Sequence, residues 1–166
     1  MEPDPYGIPE GMFGPLDPEL PALIGRIAML SALLETRVDS LASSLSRALQ
    51  SETAGRNPTD NIGACRKTLA AIEADPARAA FAARTAKLLD EIESALKARN
   101  AVIHRVWPKA GLAGWAGWKP IRKKKGDRDD REWTDWKSFS RAELVADVSR
   151  LVRLISEMGD VLAETG

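Results

Sequence analysis

The sequence predicts an all-α protein, an antiparallel four-helix up-and-down bundle with a small β-hairpin inserted before the last helix. Three observations predict it. Apolar residues recur at steps of three and four over four separate stretches, the spacing that gathers them on one helical face. Cap-forming residues, Pro or Gly separate those stretches, and short helix-to-helix connections favour antiparallel neighbours. All five tryptophans, by contrast, crowd into residues 107–139 together with Gly111, Gly114, Gly117 and Gly126. That composition interrupts helix and suits a turn-linked strand pair.

A chain of 166 residues is long enough for one hydrophobic core and too short for two comfortable ones. The expected organisation is an extended or partly disordered arm over residues 1–19, then a single helical domain over 20–166 with the hairpin insertion at about 112–139. Five prolines in the arm, Pro3, Pro5, Pro9, Pro15 and Pro18, deny it regular hydrogen bonding.

From Asp17, a plausible N-cap with Pro18 following, a long helix is predicted to about Gln50, with its stripe at Leu20, Leu23, Ile27, Leu30, Leu34, Val38, Leu41, Leu45 and Ala48. At about 1.5 Å per residue it spans roughly 45–50 Å. Ile24, Met29 and Leu33 widen the stripe enough that a second subunit is expected to cover part of it. Gly55 and Pro58 mark a connection, after which Thr59 or Asp60 caps a shorter helix with Ile62, Cys65, Leu69 and Ile72 on its apolar face. Asp75-Pro76 opens a third helix whose stripe is Phe81, Thr85, Leu88, Ile92, Ala95, Arg99, Val102 and Val106. Pro108 terminates it. Strands at 115–122 and 132–139 then pair, with a charged tip between them. Ser140 and Glu143 form a capping box for the last helix, which buries Leu144, Val148, Leu151, Leu154, Ile155 and Met158.

Several function classes are excluded by composition. No apolar run is long enough to cross a bilayer, and the N-terminus lacks the basic and apolar regions of a secretory signal, so a cytoplasmic protein with no membrane partner is expected. One Cys and one His put an intrachain disulfide and, for a monomer, a protein-only zinc site out of reach. Carboxylates remain as ligands for a hard cation. The expected cofactor and metal complement is none.

Within this pattern Arg99 is anomalous, since a long charged side chain on a core stripe requires a partner. A structural ion pair, for instance with Asp90, Glu91 or Glu93 of a partner helix, a phosphate-binding group and half of a catalytic pair are the competing explanations. Asn100 and His104, the only histidine, are four apart and share a helical face. Arg99 lies about 100° round from Asn100 and about 7.5 Å below His104, a gap its length can bridge. Imidazole exchanges a proton near neutral pH and guanidinium holds phosphate oxygens bidentately. Together these can cleave a phosphodiester without metal.

Arg99-Asn100, three residues and His104, near the end of a helix in an all-α bundle, resembles the Arg-polar-x3-His motif of the HEPN (higher eukaryotes and prokaryotes nucleotide-binding) superfamily. Many members have glycine directly after the histidine; this chain has Arg105. The resemblance implies a homodimer with the motif where two subunits meet, and a metal-independent endoribonuclease acting on single-stranded RNA in a toxin–antitoxin or antiphage system. A cognate antitoxin or defence-system protein would then be a partner. By the same resemblance Arg99 stabilises the phosphate, Asn100 orients the site and His104 is the acid or base.

Charge placement points the same way from independent residues. No acidic residue occurs from Ser94 through Gly126, and Arg105, Lys109, Lys119, Arg122, Lys123, Lys124 and Lys125 form a basic stretch for RNA or phosphate. Trp107, Trp115, Trp118, Trp133 and Trp136 are candidates for base stacking or for packing the hairpin. The alternative function is a non-catalytic dimeric module of the same fold that binds nucleotide, RNA or a protein partner. A third reading is a plain helical scaffold whose hairpin docks a protein. An open His104 is a requirement of the nuclease reading, and a dry one would exclude it.

Overall fold

The computed structural model describes residues 17–49, 57–107, 110–111, 114–120 and 134–165. The expected N-terminal arm, apart from Asp17 to Glu19, lies outside them. Helix α1 (Glu19–Leu49) starts where the Asp17 carboxylate accepts the Glu19 N–H at 2.9 Å. Its buried stripe of Leu20, Leu23, Ile27, Leu34, Val38, Leu41 and Leu45 follows the predicted spacing. Two buried hydroxyls on this helix donate to the carbonyl one turn back, Ser31 to Ile27 at 2.6 Å and Ser46 to Ala42 at 2.7 Å. Burial therefore leaves neither unsatisfied.

Helix α2 (Pro58–Ile72) is capped by Asn57, whose side chain accepts the Asp60 N–H at 3.0 Å. The cap is thus not Thr59 or Asp60: Pro58 occupies the first helical position, and the residue before it takes the extended conformation that a cap requires. Helix α3 (Ala79–Ile103) begins a few residues after Pro76 rather than at it. The Asp75 carboxylate first accepts the Ala77 N–H at 3.0 Å and its carbonyl the Arg78 N–H at 2.9 Å, closing turns before the helix. Helix α4 (Arg141–Thr165) carries the expected capping box: the Glu143 carboxylate accepts the Ser140 N–H at 2.7 Å, and the Glu143 N–H reaches the Ser140 hydroxyl at 3.2 Å.

Between α3 and α4 stands a small antiparallel sheet of β1 (Ala110–Gly111), β2 (Gly114–Pro120) and β3 (Thr134–Phe139), in that order. Pairing of β2 with β3 runs from Trp115↔Phe139 to Pro120↔Thr134. A third strand joins the predicted hairpin because the chain leaving α3 pairs along the free edge of β2, first by a Val106↔Trp118 bridge and then through β1.

The four helices form the predicted bundle, but their directions correct one expectation. Arg141 at the start of α4 pairs with Glu19 at the start of α1 at 2.7 Å, and Gly159 lies against Arg37 further along. The first and last helices therefore run side by side in the same sense. In strict up-and-down alternation they would oppose. Loop length constrains only neighbours in sequence, and α2, with 15 residues against 31 in α1, is too short to cover the leucine stripe that α4 covers. Helices α3 and α4 do oppose, through Arg84–Glu164 at 2.6 Å and Arg153–Glu91 at 2.7 Å.

The core lies among the helices, with Ile27, Leu34, Leu89, Ile92, Leu144, Leu154 and Met158 wholly enclosed. Cys65 is within it, and burial pushes its thiol up to about 12. Among the described residues no helix is long and apolar enough to cross a membrane.

Candidate functional site

The site forms where α3 ends. Its last helical residue is Ile103, and His104 takes the C-cap position with φ −99° and ψ 22°. The chain then turns to meet the sheet: the Val106 N–H donates to the Trp118 carbonyl at 2.8 Å, and the Val106 carbonyl accepts the Trp118 N–H at 3.0 Å. His104 is exposed, as is Asn100 one turn below it on the same face. Imidazole and carboxamide thus stand together, open to solvent, at the junction of bundle and sheet.

Arg99 points elsewhere. One Nη of its guanidinium binds the Glu35 carboxylate of α1 in a close ion pair, and the two side chains are 17% and 27% exposed. Glu35 is the partner that the position of Arg99 required. Asp90 and Glu93 are instead engaged by Arg66, and Glu91 by Arg153. The Arg99 Nε is buried and has no hydrogen-bond partner among the described residues. Burial also pushes the guanidinium's pKa below its ordinary value. So the structure leaves two of the three motif residues exposed at the surface and holds the third in a pair with α1.

Arg105 is a structural anchor. Its side chain is 3% exposed. Nε donates to the Ala101 carbonyl at 2.8 Å, one Nη to the carbonyls of Gly117 at 3.2 Å and Asp135 at 2.5 Å, and the other Nη to the Asp135 carboxylate at 2.6 Å. All three nitrogens are occupied within the chain, which removes Arg105 from the expected phosphate contacts. Gly117 makes room for it. A Cβ there would meet Arg105 Cβ at 3.0 Å and Trp107 Cδ2 at 3.2 Å, tighter than most side chains pack.

The tryptophans divide by sheet face. Trp115 is buried, and Trp107 packs its ring 5.3 Å from Phe139 while donating Nε1–H to the Val102 carbonyl at 3.2 Å. These two hold the sheet on the bundle. Trp118 and Trp136 are cross-strand partners on the opposite face, centroids 6.4 Å apart, and Trp136 is 56% exposed. Val106, 45% exposed, is bridged to Trp118, so Val106, Trp118 and Trp136 form an apolar row across the sheet that starts two residues after His104. Lys119 is half exposed, 3.8 Å from the Asp135 carboxylate. Lys109, Arg122, Lys123, Lys124, Lys125 and Trp133 lie outside the described residues.

Glu35 and Asp135 were not singled out by sequence. Each pairs with an arginine far away in the chain, and such pairing carries no local periodicity. Glu35 did carry a faint signal, a carboxylate directly beside the buried Leu34 stripe position. A cleft of about 530 Å³ lies away from this junction, among the α3–α4 ion pairs at Lys87, Glu91, Arg153 and Asp160. Among the described residues no three of His, Cys, Asp and Glu converge as metal ligands.

No family model, curated protein or solved structure matches the chain. The functional reading therefore rests on the geometry above and on the motif.

Proposed function

We propose that this chain is a HEPN-like, metal-independent endoribonuclease acting on single-stranded RNA as a homodimer. The observation that carries the reading is the joint exposure of Asn100 and His104 at the end of α3. A general acid or base must be reachable by the substrate, and this one is. In the proposed reaction the ribose 2′-hydroxyl attacks the adjacent phosphorus, the 5′-oxygen of the next nucleotide leaves, and a cyclic phosphate end results. Imidazole takes the 2′-hydroxyl proton or supplies one to the leaving oxygen, and Asn100 orients the phosphate. Two copies of His104 in a dimer would fill both roles. Guanidinium stabilises the charge that develops on phosphorus oxygens.

Two further features support the reading. Trp118 and Trp136 present an open aromatic pair on which unpaired bases stack irrespective of sequence. Met29 and Leu33 on α1 are 76% and 46% exposed, apolar surface of the kind a second copy covers. Cytoplasmic location and an antitoxin or defence-system partner belong to the same proposal.

Purified protein is expected to cut single-stranded RNA in the presence of EDTA, and His104→Ala to abolish cutting while leaving the fold and oligomeric state unchanged. Residual cutting in that variant would end the assignment. The non-catalytic reading also has an observation in its favour, the engagement of Arg99 by Glu35. It predicts that no RNA is turned over and that Arg99→Ala changes stability alone.

A further inference from the structure

We infer that the Arg99 guanidinium is an anion seat filled by the Glu35 carboxylate in the free protein, and that a phosphate group of the ligand takes the place of that carboxylate. This rests on the proposed RNA reading for the identity of the ligand, but the seat itself stands on the geometry of the pair. Glu35 is the hydrogen-bond partner of Arg99 and engages a single Nη. Guanidinium offers five N–H donors in a planar fork, and here the Nε–H is buried without a partner among the described residues. One carboxylate oxygen therefore leaves the charge under-compensated, in keeping with the downward push that burial gives this group. A phosphate presents several oxygens and can meet two donors at once, the bidentate geometry that guanidinium favours.

Position makes the exchange feasible. Both side chains sit at the margin of the bundle, 17% and 27% exposed, rather than in its dry interior. An incoming anion can reach the pair, and the displaced Glu35 carboxylate can turn to water. Charge compensation of Arg99 persists throughout, so the exchange avoids the large cost of an unpaired buried cation. The exchange would also release Arg99 from α1, freeing a long side chain to follow that phosphate toward the exposed Asn100 and His104.

The test titrates inorganic phosphate and a short fluorescein-labelled single-stranded RNA into protein carrying His104→Ala, so that binding is read without cleavage. Adding Glu35→Gln should tighten both ligands about tenfold, and adding Arg99→Ala to that variant should remove the gain. Unchanged or weaker binding by a folded Glu35→Gln variant would overturn the proposal, as would a gain that survives Arg99→Ala. If Glu35→Gln does not fold, Glu35→Asp decides: it withdraws the carboxylate by one methylene while keeping its charge, and a gain of about threefold is expected. Separate cleavage assays with His104 intact keep the two ideas apart. Tighter phosphate binding without cleavage retains the seat and removes the nuclease, and cleavage without the gain does the reverse.

Discussion

Arg99 and Arg105 have the same side chain in neighbouring turns and opposite roles. Arg105 is enclosed by Ala101, Gly117 and Asp135, whereas among the described residues Arg99 has one carboxylate and an Nε without a hydrogen-bond partner. The anomaly of Arg99 was legible because it broke an apolar repeat. The enclosure of Arg105 was not, since it depends on which β2 residue faces the end of α3, a matter of sheet register. Truncating Arg105 to Ala strips three backbone carbonyls and Asp135 of their donor, and urea unfolding should show a loss of about 2–4 kcal/mol. An unchanged midpoint would mean that the anchor is dispensable. Cys65 offers a second measurement at this scale. Burial pushes its thiol up to about 12 from an ordinary value of 9.0, so the unfolded chain loses its proton first as pH rises. The stability contributed is complete below about pH 9 and is lost between there and about 12. Cys65→Ala should flatten that alkaline decline in a pH series of unfolding curves.

The elements show where sequence reasoning succeeds and where it stops. Helix ends marked by side-chain chemistry were readable: Asp17 caps α1 and Ser140 with Glu143 caps α4. Replacing Ser140 with Ala should lower the melting temperature by roughly 2–4 °C, and no change would show that the α4 cap is redundant. The start of α3 was less readable, because Asp75-Pro76 serves equally as a cap or as a closed turn, and backbone bonds to Asp75 decide for the turn. Period-two strands of Gly, Trp and Lys are weakly patterned, yet residues 115–120 and 134–139 of the predicted strands do pair. The missed strand pairs only through Ala110, Gly111 and the Val106 bridge, too short to leave a pattern. Assignment of the tryptophans needed the pleat itself, which puts Trp115 inside and Trp118 with Trp136 outside.

At the scale of the molecule, the mostly helical bundle with its inserted sheet followed from periodicity and punctuation, while the shared sense of α1 and α4 did not. Nothing in a sequence repeat states which helices touch, and the Arg141–Glu19 pair supplies that. The same limit hid Glu35, whose pairing with Arg99 joins α1 to the end of α3. The bundle thus does two things for the junction: it holds Arg99 at its margin and it leaves Asn100 and His104 in solvent beside an aromatic face. The proposed chemistry depends on that last arrangement more than on any other. Incubating purified protein with single-stranded RNA in EDTA, beside a folded His104→Ala variant, tests it most directly. Cyclic-phosphate products are expected from the wild-type chain and none from the variant. Equal cutting by both proteins, or none by either, would contradict it.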